Sequence, residues 1–218
     1  MPPNPSNPNS SRETKQPKQS IHRPPSSASK HPTNWPPEIK YLTRPQLSKR
    51  LPTPTVSQLC LLPTPPSPAS HPSPLVKIRK ITSPAHPANG QFGLFAATAL
   101  PAKSIILDYL GYVHDPSDLD ETSDYDLSLD PELGVGVDAS KMGNEARMVN
   151  DYRGVPGFER PNVVFETRRV GGNTGELRMA LWVGSKDIKK GTELCVSYGK
   201  GFWQERMKES GVESIGEV

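Results

Sequence analysis

Two stretches of this chain hold the residues best suited to do chemistry. One is Gly143-Asn144-Glu145-Ala146-Arg147-Met148-Val149-Asn150; the other is Gly191-Thr192-Glu193-Leu194-Cys195-Val196-Ser197-Tyr198-Gly199. In the first, Arg147 lies about one helical turn before Asn150. In the second, Tyr198 carries a phenol whose pKa of about 10 makes it a poor base at neutral pH. Its fitting work is to orient a reactant and polarise its surroundings. From residue type alone, a buried structural tyrosine is the simpler account of Tyr198, and a solvated helix face that of Arg147. Tyr109 and Tyr125 suit a strand core equally well. Gly93 is either an ordinary turn glycine or a place where backbone approaches a ligand closely. Metal chemistry finds little footing: Cys60 and Cys195 cannot build a four-ligand zinc site, and no CxxC occurs. A disulfide framework is equally unsupported, which fits a reducing compartment.

The elements that must position these residues lie in the second part of the chain. Residues 1–80 hold 12 Lys and Arg against 2 Asp and Glu, whereas residues 81–218 hold 14 against 21. A basic tail thus precedes an acidic body. Of the 26 prolines, 19 fall within residues 1–74. So much proline removes backbone donors and blocks helix and central strand alike. The expectation is a disordered Pro/Ser-rich basic tail over 1–74, with short apolar islands such as Leu59 to Leu62 free to dock on a partner. Such a tail is either an unstructured leader or an arm for nucleic acid or another acidic surface. No apolar run approaches the ~18 residues of a membrane helix. The N-terminus also lacks the apolar segment of a signal peptide. Cytoplasm or nucleus is therefore expected, with no membrane partner.

Order is expected from Leu75. Val76 to Lys80 alternates apolar and charged residues as a half-buried strand does, which favours a strand face over a nuclear address for Lys77, Arg79 and Lys80. Further short strands are predicted over 92–96, 104–110, 134–138, 162–168, 178–184 and 192–197, mostly separated by Gly, Pro, Asn and Asp. Helices are predicted over 144–149, with Asn144 as cap, and over 202–209. The acidic run 115–126 reads as a loop. The result is mostly β, and strand lengths alone suit a sandwich or a small barrel as well as any other plan.

Five blocks narrow that choice. Gly90-Gln91-Phe92-Gly93-Leu94-Phe95-Ala96 comes first, with Leu100 to Ile106 after it. Asp108-Tyr109-Leu110-Gly111 is next, then Tyr125 to Leu129 with Asp138 beyond. Gly143 to Asn150, with Pro161-Asn162, is the fourth; Ala180 to Ile188, with Gly191 to Gly199, is the fifth. In this order and with these gaps they resemble the SET domain, the fold of many protein lysine methyltransferases. The resemblance implies a SET domain over residues 75–210, a β-clip of short sheets with a pseudoknot, and a flexible C-terminus over 211–218. It also implies S-adenosyl-L-methionine as cofactor and a lysine side chain as methyl acceptor. Tyr198 matches the catalytic tyrosine, and Tyr109 and Tyr125 match aromatics facing the lysine channel or the cofactor. Phe92, Gly93 and Leu94 match the loop at the methionine end, and Asn150 the asparagine that binds cofactor, with Arg147 beside it. Trp203 would lie on the adenine ring.

Four departures from the pattern stand out. Gln91 replaces a glycine, Asp151 replaces the histidine after Asn150, and Ser197 replaces the aspartate before Tyr198. No cysteine-rich zinc segments flank the domain. Asp151 keeps a backbone group for the cofactor but brings a carboxylate near it, unless Arg153 pairs with it. The expected partner is a basic, lysine-bearing protein such as a histone tail, acted on by a monomer in the nucleus. The competing expectation is a non-catalytic SET-like reader or scaffold recruited through the N-terminal tail. A third is nucleic-acid binding through the basic tail alone.

Overall fold

The computed structural model describes residues 31–61 and 71–199. Along these run thirteen short strands, one α-helix and two 3-10 turns. The strands are β1 Lys40–Tyr41, β2 Gln46–Leu47, β3 Val76–Lys80, β4 Phe92–Ala96, β5 Ile105–Asp108, β6 Tyr112–His114, β7 Asp126–Asp130, β8 Val135–Asp138, β9 Met142–Gly143, β10 Asn150–Asp151, β11 Val163–Val170, β12 Glu176–Val183 and β13 Cys195–Val196. They form five small sheets: β2-β6-β8-β7, β11-β12-β5, and the pairs β3-β4, β1-β9 and β10-β13. The protein is thus mostly β with very little helix, as the strand pattern predicts.

Alternation explains the larger pairings. Val76 and Ile78 of β3 are buried while Lys77 and Arg79 are exposed, and β4 lies antiparallel with Leu94 opposite Ile78. The apolar face joins Leu181, Val183 and Leu194 in one core. A second core gathers Tyr109, Val113, Val135, Val137 and Met179. β8 is buried along its whole length because β6 and β7 flank it on both edges. The pattern missed β6 and β7, although Asp126-Leu127-Ser128-Leu129-Asp130 does alternate.

The expectation of disorder over 1–74 does not hold for residues 31–61. β1 runs parallel to β9, and β2 parallel to β6. A short α-helix, Thr53–Gln58, begins at Pro52 and carries Pro54 in its first turn, where a missing N–H costs nothing. Leu51, Leu59 and Leu61 bury themselves in the second core, and the Leu177 amide donates to the Leu59 carbonyl at 3.0 Å. The apolar island docks on this chain's own body. Average composition concealed it because the arm's order is tertiary: its two-residue strands borrow their partners from elsewhere in the chain.

The helix predicted over 144–149 is a 3-10 turn, Glu145–Met148, and Asn144 does not cap it. Asn144 is buried, so both ends of its amide must be satisfied. It donates to the Asp108 carbonyl at 2.8 Å and accepts from the Leu110 amide at 3.1 Å, which fixes the end of β5. The predicted helix over 202–209, with Trp203, lies outside the described residues.

One buried pair gives the stability a pH dependence. The His114 ring reaches the Asp115 carbonyl through Nδ1 at 3.0 Å and the Asp126 carboxylate through Nε2 at 3.1 Å. With Asp126 ionised both partners are acceptors, so the doubly protonated ring is the form that satisfies both. Burial opposes the charge, but the Asp115 and Asp126 contacts outweigh it and raise the pKa above 6.5. A raised folded-state pKa contributes stability fully present below 6.5 and lost as pH rises through the folded value. Urea midpoints are therefore expected to fall as pH rises above roughly 6.5, and His114→Gln to flatten that slope.

Candidate functional site

The site is assembled by three consecutive residues, Val149, Asn150 and Asp151. β10 pairs in parallel with β13, with Asn150 opposite Cys195 and Asp151 opposite Val196. Asn162 locks β13 in place: its Nδ2 donates to the Glu193 carbonyl at 2.8 Å and its Oδ1 accepts from the Cys195 amide at 2.8 Å. Tyr198 emerges just past this pairing. Its hydroxyl donates to the Val149 carbonyl at 2.8 Å, and its backbone N–H donates to Asp151 Oδ2 at 2.7 Å.

Tyr198 enters a cleft of about 300 Å³ that Tyr109, Tyr125, Phe165, Val196 and Arg147 also line. Tyr109 is buried and donates its hydroxyl to the Tyr125 carbonyl at 2.6 Å; its ring meets Phe165 edge-on. Tyr125 and Tyr198 stay 38% and 40% exposed, so the cleft has an open, aromatic mouth. The Arg147 guanidinium lies 4.2 Å from the centre of the Tyr125 ring and donates to the Ala139 carbonyl at 2.8 Å. Desolvation by the packing around it, then the neighbouring Tyr125 and Asp151, raise the Tyr198 pKa above 10. Burial raises that of Tyr109 too, Arg147 opposing and Asp138 adding. Both phenols are therefore neutral at physiological pH. They can donate hydrogen bonds and wall off water, but cannot serve as bases.

Behind Asn150 lies a second group of polar residues. Its Nδ2 donates to Glu193 Oε1 at 3.0 Å and to the Phe92 carbonyl at 3.3 Å, which leaves Oδ1 as an acceptor. Glu193 Oε2 meets His86 Nε2 at 3.1 Å, and both residues are buried. The Ala88 amide donates to His86 Nδ1 at 3.0 Å, so Nε2 bears the proton that Glu193 accepts. Gly93 makes this packing possible. A Cβ there would stand 2.7 Å from Glu193 Oε1, 3.0 Å from Asn150 Nδ2 and 3.1 Å from Ile81 Cδ1. The turn before it is made at Gly90, whose φ of +85° accommodates Gln91 in the next position.

The sequence reading of the site is redistributed rather than reproduced. Tyr109, Tyr125, Tyr198 and Arg147 come together in the cleft, while Phe92, Gly93 and Asn150 form the neighbouring group. Leu94 gives its side chain to the core and its carbonyl to the Leu194 amide. The Asp151 carboxylate is turned toward Tyr198 and Arg153, whose Nη1 lies 2.8 Å away. Glu193 and His86 were missed. Glu193 sat inside a quoted block, but nothing in the spacing of His86 marks it.

The protein-family model of the SET domain matches residues 91–199. Among solved structures, the polycomb repressive complex 2 of Chaetomium thermophilum is similar at 27% identity over 57% of this chain and 15% of that one, with a TM-score of 0.44. The complex ctPRC2 in an autoinhibited conformation bound to S-adenosylmethionine matches at 26% identity over 61% and 17%, TM-score 0.44. KRYPTONITE in complex with mCHH DNA, an H3(1-15) peptide and SAH matches at 21% over 57% and 23%, TM-score 0.43. This chain spans less than a quarter of the length of each. Among curated proteins, none matches.

Proposed function

The chain belongs to the SET-domain family, and from that premise we propose that it is a protein-lysine N-methyltransferase using S-adenosyl-L-methionine. The observation that carries this reading is the convergence of Tyr109, Tyr125 and Tyr198 on one cleft, joined through Val149 to Asn150 and Gly93.

The cofactor's chemistry fits the residues present. Among the described residues the Asn150 amide bonds through Nδ2, so its Oδ1 is an acceptor suited to the cofactor's ammonium, and Phe92 and Gly93 bring backbone alongside. The backbone of Asp151 stands next in line. When bound, the cofactor supplies an electrophilic methyl on a sulfonium sulfur, open to in-line displacement. The residues of the cleft prepare the acceptor. A lysine amine with a pKa of about 10.4 is protonated in water and must lose that proton to attack. Aromatic walls disfavour the ammonium and lower its pKa. Tyr198 then orients the neutral amine, and Tyr125, held by Tyr109 and Arg147, narrows the mouth. Positioning and exclusion of water carry the catalysis.

The substrate in this reading is a basic, lysine-bearing segment. Residues 115–132 hold eight carboxylates and no Lys or Arg, and Asp124 and Asp126 of this run line the cleft. A histone tail has the right charge, and a chromatin substrate implies the nucleus. The test is transfer of labelled methyl from the cofactor to basic peptides, each beside its Lys→Arg counterpart. Label on lysine supports the enzyme. Neither transfer nor cofactor binding by calorimetry would leave the non-catalytic reader.

Gly93→Ala tests the cofactor half of the reading. The added Cβ forces Glu193 and Asn150 off β4, and overpacking of this kind costs about 1–3 kcal/mol. Cofactor affinity measured by calorimetry is expected to fall at least about tenfold, since Asn150 can no longer hold its place.

A further inference from the structure

We propose that Asp151 is a positioning residue for Tyr198: a buried carboxylate that holds the tyrosine's backbone while Val149 holds its hydroxyl. The inference rests on the methyltransferase reading for its kinetic consequences, but not for its structural ones. The Asp151 side chain is only 5% exposed. Its Oδ2 accepts from the Tyr198 amide at 2.7 Å and from Arg153 Nη1 at 2.8 Å, and its Oδ1 accepts from the Arg153 amide at 2.8 Å. A buried charge with three donors is satisfied, and its bonds are of the strong, charge-assisted kind.

The location explains why such a bond is needed. The ladder between β10 and β13 ends at Asp151 and Val196, and the Tyr152 amide takes the Val196 carbonyl at 3.0 Å. Past Val196 the described chain is no longer strand, and there the Tyr198 N–H donates to the Asp151 carboxylate. Asp151 supplies the acceptor by side chain where the ladder stops supplying one by backbone. Residues two apart in the chain thus grip both ends of Tyr198, the carbonyl of Val149 at the phenol and the carboxylate of Asp151 at the amide. Arg153 neutralises the carboxylate and extends to Ser197 Oγ at 3.4 Å, so the turn before Tyr198 is tied to the same group. The carboxylate that stands here in place of histidine is thus engaged by Tyr198 and Arg153.

The experiment compares Asp151→Ala and Asp151→Asn in the full chain. For Asp151→Ala, kcat is expected to fall about 10- to 100-fold, the range a charge-assisted bond covers, with cofactor Kd and peptide KM within about twofold. Asp151→Asn keeps an uncharged acceptor for the Tyr198 amide and is expected to recover kcat to within about fivefold of wild type. Amide hydrogen exchange read by NMR should accelerate at Tyr198 in the alanine variant, while Cys195 and Val196 keep their protection. Unchanged kcat, or unchanged exchange at Tyr198, overturns the proposal. If the alanine variant does not fold, the asparagine variant decides: its Tyr198 amide must exchange faster than wild type with KM unmoved. If the wild type transfers no methyl group at all, the methyltransferase reading fails, and exchange at Tyr198 still settles what Asp151 does.

Discussion

Tyr198→Phe is expected to lower the rate of methyl transfer by about 10²- to 10³-fold, the range seen when one preorganised hydrogen-bonding group is removed from a reacting centre. The substitution deletes the hydroxyl that donates to the Val149 carbonyl at 2.8 Å and leaves the ring where it was. Val149 is buried but lines the same open cleft, so the carbonyl released is expected to meet water there, at a cost of about 1 kcal/mol in stability. Cofactor affinity should hold within about twofold, because Asn150 and Gly93 are untouched by the change. The pH dependence carries a second test. The Tyr198 pKa lies above 10, raised by desolvation and then by Tyr125 and Asp151. A neutral phenol acts as orienter and not as base, so the variant should keep the shape of the wild-type pH–rate profile below pH 10 and lose only its height. Rates within about threefold of wild type would remove Tyr198 from the chemistry, and a lost basic limb in the profile would make it the base.

The cleft was legible because its residues are local signals: Tyr109, Tyr125 and Tyr198 each sit in a short block whose order along the chain is itself informative. β3, β4, β8, β11 and β12 were legible for a similar reason, being long enough to show alternation or continuous burial. What escaped depends on partners distant in sequence. β1, β2, β9 and β10 have two residues each, too few for any period, and exist only because another strand lies beside them. Asn144 has the residue type of a cap, yet burial beside β5 recruits its amide for Asp108 and Leu110 instead. His86 and Glu193 are 107 positions apart, and no spacing rule joins them. Asp151 was legible as a departure but not in its direction, since a carboxylate next to Asn150 can face a cofactor or a tyrosine, and only the donors around it decide.

Asp108→Ala is expected to do the reverse of Tyr198→Phe: a large loss of stability with little loss of activity per folded molecule. Asp108 ends β5 and joins two arginines of the neighbouring strands. Arg168 binds it in bidentate fashion at 2.6 and 3.0 Å, and Arg178 at 2.9 Å. Arg178 also meets Glu176 at 2.6 Å, and its side chain is 7% exposed. Burial opposes the charge on Arg178, and the bonds to Glu176 and Asp108 overcome it. Removing Asp108 leaves that buried guanidinium with Glu176 as its remaining carboxylate, and breaking a buried pair on one side costs about 3–5 kcal/mol. Against a domain stability of about 5–15 kcal/mol that is roughly a fifth or more. Urea unfolding should show it as a lower midpoint with an unchanged slope. Tyr109, the next residue, keeps its place by other means: its hydroxyl holds the Tyr125 carbonyl, and Asn144 grips the Asp108 carbonyl and the Leu110 amide on either side. Replacing Asp108, Arg178 and Glu176 together with apolar residues should restore much of the lost stability, because it removes the buried charges as a set and breaks no pair on one side only. If the triple variant is as unstable as the single one, the cost lies in packing and not in the broken ion pairs.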